Sequence, residues 1–130
     1  MKKWIFAVMM MLGLQQAIAQ DYTEAARAWL ALVDSGNYGG SWQAAAPMFK
    51  QAVTEDKWEA AVTAARKPLG ALKSRNFSGA KAASELPGAP DGSYQVLTFN
   101  ASFENKKNAV ETITLMDVEG NWLVVGYFIR

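Results

Sequence analysis

The sequence predicts an α+β domain in which N-terminal helices pack on a curved antiparallel sheet of about four strands. Three observations predict it. Apolar residues recur at helical spacing through the first half of the chain. After about residue 70 the period changes to strict alternation, and Gly/Asn/Asp turn residues separate the alternating runs.

Tyr22, Ala25, Ala26, Trp29, Leu32 and Val33 recur every three or four residues, so 23–35 reads as an amphipathic helix. Asp21 or Thr23 supplies its cap, and Gly36-Asn37 ends it with residues that tolerate left-handed backbone angles. The stretch NYGGSWQAAAP follows at 37–47. Gly39-Gly40 reads as the reversal, and Ser41 as the acceptor for the first free amides of the next helix. Glycines before a serine also suggest a phosphate loop. Such a loop needs its glycines directly after a strand and a lysine at a set offset, but here they follow a helix and no lysine comes before Lys50. The stretch reads as a corner.

Pro47 predicts a kink or short break within the second helical segment. Thr54, followed by Glu55 and Asp56, opens a third helix, with a capping oxygen and two acids at the positive end of the dipole. Trp58, Ala61, Val62 and Ala65 form its expected buried stripe. Arg66 and Lys67 lie at its negative end, and Pro68-Leu69-Gly70 stops it.

The strands are expected at 74–83, 94–103, 110–118 and 122–129, the first being the weakest. A rigid loop at 86–92, LPGAPDG, joins the first two, and turns at 105–108 and 119–121 make hairpins of the rest. Gly126 inside the last strand marks a bulge or bend.

The N-terminus carries an address. Lys2 and Lys3 precede an apolar run from Trp4 to Leu14, and Ala17-Ile18-Ala19 places small residues where a signal peptidase reads. Residues 1–19 are therefore expected to be a secretory signal peptide, with a single domain over 20–130. The run is too short to span a bilayer, which needs about 20 residues. No cysteine stands at the cut to carry a lipid. The expectation is a bacterial protein in the periplasm or beyond, with no membrane association once the leader is removed.

The formal net charge is +1, and removing Lys2 and Lys3 tips it slightly negative. Neither value gives the basic face that nucleic acid needs. The chain has no histidine and no cysteine, which removes thiol nucleophiles, Ser-His-Asp triads and imidazole or thiolate metal sites. No catalytic residue, metal or cofactor is assigned from sequence.

Two sets of residues are candidates for binding. Trp29, Trp42, Trp58, Phe49, Tyr94, Phe99, Phe103, Trp122, Tyr127 and Phe128 either fill the core or line an apolar pocket, and a small domain needs them as core. Tyr38 and Trp42, beside the glycines, are the two expected to be partly exposed. Arg66, Arg75 and Glu111 are charges set within apolar patterns. They form ordinary ion pairs, or else orient an anionic head group at the mouth of a pocket. A carboxylate base would require Asp34, Glu104 or Glu111 to sit inside a cavity.

Several longer runs resemble the DUF4019 family of exported bacterial proteins of unknown function. They are W-L-x-L-V-D-S-G-x-Y ending at Tyr38, S-W-x-x-A-A-x-x-F-K from Ser41, and A-R-K-P-L-G from Ala65. Arg75, L-P-G-A-P-D-G-S-Y from Leu86, Glu111-Thr112 and the closing G-Y-F-I-R from Gly126 complete the set. The resemblance implies an NTF2- or cystatin-like cone, in which a bent antiparallel sheet wraps helices, and it implies no activity. The functional expectation is a non-catalytic binding protein. It would take a small amphipathic ligand in the cone, with Arg66 or Arg75 orienting its polar end, or a protein partner on the sheet, a homodimer included. The rival is an isomerase- or hydratase-type enzyme using a carboxylate and a tyrosine.

Overall fold

The computed structural model describes residues 22–130. The expected leader lies outside them, as does Asp21. Four α-helices come first: α1 over 22–34, α2 over Tyr38–Ala44, α3 over Pro47–Ala52 and α4 over Glu55–Arg66. A single 3₁₀ turn, Lys67–Leu69, leads into the strands. These are β1 (Leu72–Ala83), β2 (Tyr94–Phe103), β3 (Lys106–Val118) and β4 (Asn121–Ile129), hydrogen-bonded in chain order as one antiparallel, unclosed sheet with β1 and β4 at its edges. The α+β class, the helices-first order and the four strands are those the sequence predicts.

Local signals hold where one residue dictates one geometry. Thr54 caps α4 by accepting from the Lys57 N–H at 3.3 Å, and Glu55 and Asp56 fill its first turn. Pro47 opens α3 after a break at Ala45 and Ala46. Opposite Gly126 the β3–β4 register slips: Thr114 pairs with Gly126 and Leu115 with Val124, leaving Val125 as the extra residue of a bulge. Further slips in β1 and at the end of β2 bend the sheet around the helices.

Elsewhere the structure departs from expectation. Thr23 lies within α1 rather than at its cap. The corner between α1 and α2 is Ser35-Gly36-Asn37, and Asn37 is the cap, accepting from the Gly40 N–H at 3.0 Å. Gly39 and Gly40 are therefore helical. They answer to crowding, not to reversal: a Cβ on Gly40 would lie 2.5 Å from the Asn37 amide, and one on Gly39 2.8 Å from the Glu55 carboxylate. The β2–β3 turn shrinks to Glu104-Asn105, so β3 starts at Lys106. That turn is held by the end of the helical layer. Ala71 N–H donates to Glu104 Oε1 at 2.7 Å, and Asn105 Nδ2 to the Pro68 carbonyl at 3.0 Å. Gly70 makes the approach possible, with φ of 75° and only 2.9 Å between a would-be Cβ and Glu104.

The core lies between helices and sheet. Ala26, Trp29, Leu30 and Val33 of α1 and Trp58 and Val62 of α4 meet Leu97 and Phe99 of β2, Ile113 and Leu115 of β3, and Val124 of β4. At about 1.5–3 kcal/mol for each large apolar side chain buried, this cluster is the main force holding the helices to the sheet. Ala61 and Ala65, expected in the stripe of α4, are exposed, and Arg66 occupies the stripe instead. Phe128, expected among the core aromatics, is 60% exposed. It pairs with Thr112 on the face of the sheet away from the helices. Tyr94 is buried on that outer face too, under the 86–92 loop, where its hydroxyl donates to the Pro90 carbonyl at 2.5 Å.

Candidate functional site

Two polar hubs are built into this core. The first is neutral. Ser41 is fully buried in α2, and its hydroxyl donates to the Tyr38 carbonyl at 2.7 Å while accepting from Trp58 Nε1 at 2.9 Å. Its carbonyl accepts from Trp29 Nε1 at 2.8 Å. One small residue thus satisfies two buried indoles from two other helices. Trp42 adds a similar bond, from Nε1 to the Val53 carbonyl at 2.8 Å. Tyr38 and Trp42 are half-buried and pack against this end of the core.

The second hub is ionic. Arg75 reaches from β1 and spreads its planar fork over two carboxylates. It meets Asp34 through Nη1 and Nη2 at 2.7 and 2.9 Å, and Glu111 through Nε and Nη2 at 2.6 and 3.1 Å. Arg66 donates from the end of α4 to Asp34 Oδ1 at 2.9 Å, and the Tyr127 hydroxyl donates to Glu111 Oε2 at 2.5 Å. Glu111 is fully buried, since it shares the phase of Ala109, Ile113 and Leu115 on the helix-facing side of β3. The cluster carries two positive and two negative charges and balances.

The electrostatics follow the geometry. Burial works against the charge of Asp34, but the bonds and fields of Arg75 and then Arg66 hold its carboxyl below the ordinary 3.8. Burial likewise opposes the charge on Arg75, and Asp34 and Glu111 overcome it, so its guanidinium is more basic than usual. Tyr127 is pushed well above the ordinary 10.0, first by burial and then by the Glu111 carboxylate, so its hydroxyl stays protonated. Arg66 is the least satisfied member. Its Nε and Nη1 are buried without a hydrogen-bond partner, and its guanidinium lies over the Phe103 ring, 4.8 Å from the centroid.

Of the residues chosen from sequence, Arg66, Arg75 and Glu111 are brought together, whereas Tyr38 and Trp42 belong to the neutral hub. Asp34, a candidate from sequence only as a base, is the piece that joins the two arginines. Sequence reasoning misses the hydroxyl of Tyr127 and the role of Ser41. Glu104 is exposed and serves the turn at Ala71. Among the described residues, no group of three or more acidic side chains is set to hold a metal.

Among the described residues, two apolar hollows lie on the surface. One groove of about 250 Å³ runs between α4 and β4, lined by Trp58, Ala61, Val62, Ala65, Tyr127, Phe128 and Ile129. Another of about 380 Å³ lies between α1 and the start of β4. None of the charged residues of the ionic hub lines either groove.

The runs that build these hubs are matched by a family model over residues 25–127, described as "Protein of unknown function (DUF4019)". The chain belongs to the DUF4019 family. In this DUF4019 protein, Trp29 and Asp34 come from the first of those runs and Ser41 from the second. Arg66, Arg75, Glu111 and Tyr127 come from the later ones. No curated relative matches the chain. Among solved structures, the 1.8 Å structure of Aln2 from a Streptomyces species is similar. It has a TM-score of 0.51 at 14% identity and covers 85% of this chain and 87% of its own. At that identity the likeness is one of fold.

Proposed function

We propose that this DUF4019 protein is an exported, periplasmic or secreted binding protein whose occupant is a protein partner held on its outer surface. One observation carries the reading. The helix-facing side of the sheet is filled by packed aromatics and a charge-balanced cluster, while apolar grooves open on the outside. The leader-like N-terminus supports export. Among the described residues, no helix is long and apolar enough to cross a membrane. A carboxylate-base reaction gains no support, because both oxygens of Glu111 are engaged by Arg75 and Tyr127.

A second reading has a specific observation in its favour. Arg66 keeps two buried donors free, one helical turn below Val62 at the α4–β4 groove. Arg66 does not itself line that groove, but a small amphipathic acid whose carboxylate reached past Val62 would answer these donors. Native mass spectrometry of the protein purified from its own cells separates the two. The expected result is a chain lacking residues 1–19 in complex with protein subunits. A stoichiometric small acid, lost on Arg66→Gln substitution, would overturn the first reading in favour of the second.

A further inference from the structure

The two edges of the sheet are not alike. β1 carries Lys73, Arg75 and Lys81 and two register slips, the devices that keep a sheet edge from pairing with a stranger. β4 reads NWLVVGYFI and has no charge at all. Val110 and Arg130 exchange both backbone bonds, at 2.8 and 3.0 Å, and the register continues through Thr112↔Phe128 and Thr114↔Gly126. Antiparallel alternation therefore turns the N–H and C=O of Tyr127 and Ile129 away from β3. Among the described residues, none of these four groups has a backbone partner across the edge. Further up the strand the edge is covered, since the Val124 carbonyl accepts from the Ala46 N–H at 2.8 Å.

We propose that this open end of β4 pairs with the same segment of a second copy of this chain, antiparallel about a two-fold axis at Phe128. The proposal deepens the protein-partner reading and rests on it. In this register Tyr127 of each copy faces Ile129 of the other, and four backbone hydrogen bonds form from groups that now have none. Phe128 meets its own copy in a non-hydrogen-bonded pair on the outer face, covering a ring that is 60% exposed. On the helix-facing side, the second copy's Ile129 comes beside Tyr127 and enters the groove walled by Ala61 and Ala65, whose small side chains leave the room. The pairing uses 126–130 of each copy and stops short of Val124. β4 itself carries no charge, and the one charge in the paired segment, Arg130, falls opposite Gly126 of the other copy, so no like charges face each other directly across the seam. Only residues 126–130 of each copy pair, so the interface is small and the dimer a weak, reversible one.

The chain has no cysteine, so a single one reports proximity without background. Non-hydrogen-bonded pairs sit about 4.5 Å apart at Cα, within the span of a disulfide. Mild oxidation is expected to link Phe128→Cys into covalent dimers. Phe77→Cys, at the other exposed large apolar position and on the β1 edge, stays monomeric. Sedimentation velocity over a concentration series is expected to show reversible dimers of the unmodified protein. Phe128→Lys, which sets two like charges on the axis, raises the dissociation constant by about tenfold or more with an unchanged circular dichroism spectrum. A monomer at every concentration, equal cross-linking at 77 and 128, or a dimer indifferent to Phe128→Lys each overturns self-pairing. A monomer that is nevertheless isolated from cells with a different protein sinks only this proposal, whereas bare monomer in both experiments sinks the wider reading as well.

Discussion

The serine hub at the helical corner and the arginine hub beneath the sheet occupy one core, and both gather segments distant in sequence. They do so by different physics. Ser41 satisfies two indoles with neutral bonds of 2.8 and 2.9 Å, and each such bond is worth about 0.5–1.5 kcal/mol net. The arginine hub takes four charges largely out of water, where the desolvation cost of each is several kcal/mol and mutual pairing offsets it only while every partner is present. The neutral hub therefore degrades gradually when damaged, and the ionic one fails abruptly.

The largest effect is expected from Arg75→Met, which leaves Glu111 buried with only the Tyr127 hydroxyl and no counter-charge in contact, and Asp34 with only Arg66. Urea unfolding should show a loss of about 3–5 kcal/mol. A loss smaller than that of Ser41→Ala would reverse the ranking of the hubs. Tyr127→Phe comes next, removing a bond to a buried carboxylate for about 1.5–3 kcal/mol at neutral pH. It also sharpens the comparison by pH. The folded chain holds the Tyr127 proton more tightly than the unfolded chain, so this contribution is complete below pH 10.0 and fades as the pH rises above it. The variant should lose that part of the alkaline limb. Asp34 sets the opposite limb: its folded value lies below 3.8, so its contribution is present at neutral pH and lost as the pH falls through that lower value.

Ser41→Ala should cost about 1–3 kcal/mol by leaving the Trp58 indole unsatisfied, with a shift in tryptophan emission that Arg75→Met does not produce before unfolding. Gly40→Ala should be the mildest, about 1 kcal/mol or less in thermal unfolding, because the new methyl only displaces the Asn37 cap. A larger penalty there would mean that the corner, and not the Ser41 hydroxyl, holds the neutral hub together.

What sequence reveals of this fold is what single residues dictate locally. Thr54 before two acids reads as a cap, Pro47 interrupts a helical segment because it cannot continue one, and Gly126 sits beside a bulge because a residue without a side chain tolerates it. Gly39 and Gly40 mislead because glycine answers both to a turn and to crowding, and only the position of Glu55 and Asn37 in space tells which. The ionic hub is half legible. Asp34 lies one turn after Leu30, Arg66 one turn after Val62, and Glu111 alternates with Ala109 and Ile113, so three charges fall on buried phases. Their convergence is not legible, since its bonds span 32, 36 and 41 residues and no local pattern encodes a separation of that kind. Ser41 looks like a cap because serine usually is one, and nothing nearby in the chain announces two indoles arriving from elsewhere.

The arginine hub also imposes an order of assembly. A chain emerging N-terminus first, from a ribosome or a translocation channel, presents Asp34 and Arg66 long before β3 and β4 exist. Until Glu111 and then Tyr127 follow, Arg75 lacks its second carboxylate and the helical half has no sheet to close on. The hub therefore closes only when the last strand arrives.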